Sequence, residues 1–232
     1  MERNAKDSTY QEEQSRWREA LYRLASAAFL EEPTDEQLVT QIETARAALA
    51  EEGSWELPCE QQLLTHLASL DESDADLGRR VRSEYAELFI GPRPPKAPLY
   101  ESMYRGCPRR LLTQVTRQVR DTYESCGFTV AKRNRIPDDH IGYELEFAAN
   151  LCAREALAWE EDRVEEAVSW QSMRHEFLEE HVSQWIGGFA SAVELAEGGY
   201  FGPWARFAQG IIEADVETGV GQDDCAQGGE AR

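Results

Sequence analysis

The chain has 232 residues, 41% of them hydrophobic and 29% charged, as expected for a globular protein of one large domain or two small ones. With 24 Lys and Arg against 44 Asp and Glu, its formal charge is −20, which argues against general affinity for nucleic acid or anionic lipid. The longest apolar run, residues 182–193, contains Gly and Ser and is shorter than the ~18 residues a membrane span needs.

Residues 1–14 are polar and carry no apolar core of a secretory signal, so the chain is expected to stay in the cytoplasm. Its five Cys, at 59, 107, 126, 152 and 225, include no C-x-x-C pair, so free thiols in a reducing compartment are expected. Trp17, Leu21, Leu24, Ala25, Ala28 and Phe29 recur on one helical face, and Glu31-Glu32-Pro33 ends that helix. Thr34 or Asp35 caps a second helix running to about residue 52 and stopping at Gly53. A third covers 59–70. Ser73 or Asp74 opens a fourth, with Val81, Tyr85, Leu88 and Phe89 as its apolar stripe, and Gly91-Pro92 halts it.

Residues 91–98 hold four Pro and predict a stiff, extended connection. Pro108 suits the first turn of a helix. That helix would place Leu111, Leu112, Val115 and Val119 on one face and Arg109, Arg110, Arg117 and Arg120 on another. Residues 126–137 read as a loop. Further helices are expected from Asp138 or Asp139 to about 159, over 162–180, over 182–197 and over 201–218. Residues 219–232 read as a disordered polar tail. No strand alternation or internal repeat is visible. The fold class is therefore all-α: a single-domain bundle of about nine to ten helices over 15–218, preceded by a polar segment, 1–14.

Two segments depart from generic helical sequence. One is Tyr85-x-x-Leu88-Phe89-x-Gly91-Pro92 followed by Pro98-x-Tyr100-Glu101-Ser102-x-Tyr104. The other is Pro137-Asp138-Asp139-His140-Ile141-x-x-Glu144-Leu145-x-Phe147. A weaker third is Phe177-Leu178-x-x-His181-x-x-x-Trp185. Together they resemble the TorD/DmsD-type family of cytoplasmic chaperones for molybdenum enzymes, in order over about 21–212. The family often has Pro-Pro where this chain has Pro98-Leu99 before Tyr100.

The resemblance implies an all-helical chaperone, not an enzyme. Its partners would be the catalytic subunit of a molybdopterin oxidoreductase and that subunit's twin-arginine signal peptide. It would hold the apoenzyme open for cofactor insertion and delay export. It would need no cofactor of its own, while a transient contact with molybdopterin or a guanine nucleotide stays open, as does monomer against homodimer.

Asp at a helix start accepts hydrogen bonds from free N–H groups, and a carboxylate can pair bidentately with arginine. Asp138, Asp139, His140 and Glu144, with Pro137, are therefore expected to fringe a peptide groove. Tyr85, Phe89, Tyr100, Glu101, Ser102 and Tyr104 are expected to wall it. An exposed ion pair contributes only ~0–1 kcal/mol, so the acids would orient the peptide and apolar burial would hold it.

Residues 91–135 carry ten basic and three acidic residues, a local charge of +7. Arg105, Arg109, Arg110 and Arg117 are candidates for an anionic partner, unless the segment is a solvated face paired with Glu-rich neighbours. The rival from another class is a small helical metal-dependent enzyme using His140 and Glu144, although H-E-x-x-H is absent. Gly198–Gly202 lacks the Lys-Ser/Thr of a phosphate loop, and no G-x-S-x-G occurs.

Overall fold

The apolar face from Trp17 to Phe29 belongs to a longer helix, α1 (Glu2–Phe29), which also takes in most of the polar segment 1–14. The computed structural model describes residues 2–50, 57–106, 110–130 and 135–226. Thr34 caps α2 (Asp35–Leu49) in a reciprocal box, its side chain accepting from Gln37 N while the Gln37 side chain accepts from Thr34 N. Leu38, Ile42, Ala45 and Leu49 form the buried face of α2. The stop expected at Gly53 lies outside the described residues. Pro58 opens α3 (Pro58–Ala68).

α4 (Leu77–Tyr85) starts later than Ser73 or Asp74. Those residues are held in local turns instead, with Asp71 Oδ1 accepting from Ser73 N and Asp74 Oδ1 from Asp76 N, each at 2.9 Å. α4 then widens into a π-helical turn, Ala86–Ile90, and stops at Gly91, whose φ of +103° favours glycine. Past a single turn, α5 (Ser102–Arg105), comes α6 (Gln114–Ser125).

The helix expected from Pro108 is shorter than its pattern. Pro108 and Arg109 lie outside the described residues. Arg110 to Thr113 are not helical, and Leu112 has a φ of +58° that a right-handed helix cannot accommodate. Leu111 and Leu112 are 44% and 71% exposed, and the buried face is Thr116, Val119 and Tyr123. The arginine-lined face is thus reduced, among the described residues, to Arg117 and Arg120.

The rest is α7 (Ile141–Glu160), α8 (Val164–Glu180), a 3₁₀ turn (Val182–Gln184), α9 (Ile186–Leu195) and α10 (Phe201–Ala226). α10 runs to Ala226, past residue 218 where the sequence pattern ended it, and residues 227–232 lie outside the described ones. Among the described residues no strand forms, and Tyr100 and His140 make an isolated antiparallel bridge. No helix among them is long and apolar enough to cross a membrane.

α1 packs most extensively on α7. Their register is antiparallel: Ser15 Oγ donates to Glu155, Arg23 to Asn150, and Ser26 Oγ to Gly142 O. α8 covers α7, and α10 crosses behind α1, α3, α8 and α9. Where α1, α7, α8 and α10 meet, Arg174 is fully buried. Its guanidinium reaches Glu155 Oε2 at 3.1–3.2 Å and also Asp215 Oδ1. Tyr22 OH donates to Asp215 Oδ2 at 2.7 Å, and Arg18 lies 3.4 Å from Oδ1. Burial pushes the Asp215 carboxyl up, but Arg174, His175 and Arg18 outweigh it and hold it well below the usual range.

Removing one partner of such a cluster leaves buried charge uncompensated. Arg174→Met should therefore lower unfolding free energy by about 3–5 kcal/mol in urea titration. A loss under about 1 kcal/mol would show that the cluster ties nothing together.

Candidate functional site

The two motif segments find each other through backbone. Beyond Gly91, Ala97 N donates to Leu88 O at 2.9 Å, which returns the proline-rich connection to the end of α4. It then pairs with the approach to α7: Ile141 N donates to Leu99 O at 2.8 Å, and Glu101 N to Asp139 O at 3.0 Å.

At this junction the acidic side chains and His140 take partners within the protein, while the buried Ser102 hydroxyl makes no hydrogen bond among the described residues. His140, not Asp138 or Asp139, caps α7, its Nδ1 accepting from Gly142 N at 3.1 Å. Asp139 Oδ2 accepts instead from Ser102 N at 2.9 Å and so caps α5. Asp138 accepts from the Arg120 guanidinium. Glu101 meets Arg105 on one side and His181 Nδ1 on the other, at 3.1 and 3.3 Å. Glu144 Oε2 accepts from Trp185 Nε1 at 3.0 Å.

Tyr85, Phe89, Glu101, Ser102, Asp138, Asp139, His140 and Glu144 are each no more than 5% exposed. Tyr100, Tyr104 and Pro137 are half-buried. The structure thus unites the expected residues but seals them: this acidic, aromatic cluster is interior, not the wall of an open groove. Asp139, Glu144 and Glu101 crowd together, and burial first, then Glu101 and Asp139, pushes the Glu144 carboxyl well up.

The metal-dependent alternative is corrected by the same geometry. His140 and Glu144 are engaged with Gly142 and Trp185, and among the described residues no three His, Cys, Asp or Glu are placed to hold a metal ion. The basic segment is paired in part: Arg105 with Glu101 and the Glu180 carbonyl, Arg120 with Asp138, Lys96 with Glu87. Arg110 and Arg117 are exposed, and Arg109 lies outside the described residues.

Two open depressions lie beside the sealed junction. One, of about 630 Å³, is polar and sits over His181, between Arg105, Asp121, Glu179 and Gln184. The other, of about 490 Å³, runs between the last turns of α1 and α2.

The pattern of the nitrate reductase delta subunit family matches residues 52–191, more than half of the chain. The chain belongs to this family. It is 28% identical over 200 residues to the chaperone protein TorD of Vibrio parahaemolyticus serotype O3:K6, covering 84% of this chain and 89% of that one. It is 31% identical over 134 residues to a chlorate reductase assembly chaperone protein of Ideonella dechloratans, covering 56% and 67%. The fold matches a crystal structure assigned to a redox enzyme maturation protein of Archaeoglobus fulgidus, with TM-score 0.53 and 21% identity over 84% of this chain and 93% of that one. The expected family and all-α fold both hold. The chain is a TorD-type redox enzyme maturation chaperone, not an enzyme.

In this family member the sequence motifs do positioning work that sequence reasoning assigned to the surface. It also missed Arg174, Glu155 and Asp215. A signal existed: Glu155 follows Leu151 and Cys152 by four and three residues, Asp215 follows Ile211 and Ile212 likewise, and Arg174 precedes Phe177 and Leu178. Each charge falls on a buried stripe.

A carboxyl whose pKa is raised in the fold loses stability for that fold as pH climbs from its ordinary value of ~4.3 toward the raised one. Glu144→Gln keeps an acceptor for Trp185 and removes the titration. The variant should unfold like the wild type near pH 4 and hold its thermal midpoint increasingly better than the wild type as pH rises from there to pH 8. Parallel melting curves across that range would contradict the assignment.

Proposed function

We infer that this chaperone binds, in the cytoplasm, the twin-arginine signal peptide and the apo form of a molybdopterin-dependent oxidoreductase subunit. It keeps the subunit receptive to its cofactor and delays export until insertion is complete. The observation that carries this is the similarity to a protein named TorD over 84% of the chain.

The physical character of the molecule supports the reading. A charge of −20 disfavours anionic membrane and favours an arginine-bearing leader. Exposed ion pairs are weak, so the acids serve encounter and orientation while apolar burial supplies affinity. The chaperone contributes no chemical step and requires no cofactor of its own.

Co-expression of the full chain with a leader-bearing molybdopterin oxidoreductase subunit from the same genome tests this. The leader-bearing subunit should co-purify with the chaperone, and omitting the chaperone should lower molybdenum per subunit. Absence of both effects would contradict the proposed function.

A further inference from the structure

The last turns of α1 and the body of α2 form a helical hairpin around Pro33, and a groove of about 490 Å³ opens between them. That size accepts a few side chains or a compact ligand. Its floor is apolar: Leu24, Ala27, Leu30 and the buried Pro33. Thr40, Gln41 and Thr44 line the α2 side.

The two ends differ in charge. At the end beside the turn stand Glu31 and Glu36, with Glu32 adjacent in sequence. Glu36 is exposed and makes no hydrogen bond or ion pair among the described residues, while Glu31 accepts from the Gln37 side chain at 3.4 Å. At the end away from the turn Arg23 is held by Glu19 and Asn150.

The sealed junction stands directly behind this groove. Tyr85 OH donates to Phe29 O at 3.1 Å, at the end of α1. Ser26 Oγ donates to Gly142 O at 2.8 Å, and a Cβ on Gly142 would sit 2.9 Å from Leu30 Cα. Both motif segments therefore brace the turns that make the groove's α1 wall.

We propose that the α1–α2 groove seats the apolar stretch of the client's leader, with its paired arginines at the acidic end by Glu31 and Glu36. This rests on the function proposed above and gives that function a surface. Charge complementarity selects the occupant: an acidic end continuous with an apolar floor matches a segment in which two arginines precede apolar residues. Tyr85, His140 and Gly142 then act as positioning residues, through α1.

The test is calorimetry of the full chain against two synthetic leader peptides, one with the arginine pair intact and one with that pair replaced by alanine. Ala27→Arg and Thr40→Arg, both at exposed positions, obstruct the groove and should each weaken binding about tenfold or more. Glu36→Lys should weaken the arginine peptide about threefold and leave the alanine peptide unchanged. Val168→Ser, on the exposed face of α8, should bind like the wild type. Unfolding midpoints establish that each variant is folded. If the wild type binds neither peptide, the proposed function fails and the groove with it. If the wild type binds and the groove variants bind equally well, the function stands and the groove is overturned. A dimer of the free protein that Ala27→Arg dissociates would give the groove to a second copy, again overturning the proposal.

Discussion

α7 meets α1 at Gly142 with no room for a side chain between them, and the geometry around the motifs follows from that contact. A Cβ at 142 would lie 2.9 Å from the backbone of Leu30, closer than ordinary packing permits. The approach fixes the height of α7 against the end of α1. It brings Ser26 to the Gly142 carbonyl and leaves His140 just ahead of α7, where its ring nitrogen caps the helix. Leu99 and Glu101 then reach the backbone of Ile141 and Asp139. Residues far apart in sequence converge because one glycine lets two helices touch.

Around this contact the protein buries two clusters of polar and charged side chains. Arg174 with Glu155 and Asp215 joins four helices at one end of the α1–α7 interface. Glu101, Asp139, Glu144 and His181 occupy the other. Buried ion clusters are poor sources of net stability, since desolvation offsets most of the attraction. Their contribution here is register: each permits one arrangement of its helices and leaves buried polar groups unpaired in any other. The aromatic residues supply cohesion in between. Phe29 and Phe89 lie 6.1 Å apart and each packs on Phe189 and Phe201 at 5.2–6.3 Å, and Tyr123, Phe147 and Phe177 form a second group.

The helices were legible because their apolar spacing is local and strong: Trp17 to Phe29, the Thr34 cap and the Tyr85–Phe89 stripe all read directly from the chain. The failures have physical causes. Leu111 and Leu112 fit an apolar face by spacing, yet a positive φ at Leu112 keeps them out of any helix and leaves them exposed. Asp138 and Asp139 were read as caps because Asp favours helix starts, but His140 is nearer the first free N–H, and each aspartate pairs elsewhere. Most telling is burial: periodicity does not reveal whether an acidic residue meets solvent or an interior partner, so Glu101, read as groove wall, and Glu144, read as fringe, both fold as core. The groove between α1 and α2 was illegible for the opposite reason, since its lining consists of commonplace residues whose relation depends on the hairpin.

Hydrogen–deuterium exchange of Gly142→Ala against the wild type, read by peptide, tests most directly whether the motif segments act through α1. An added methyl must push the end of α1 away. Faster exchange over residues 23–30, with α8 and α10 protected as before and leader binding weakened, is the expected result. Unchanged exchange in α1, or loss of protection confined to α7, would contradict the account.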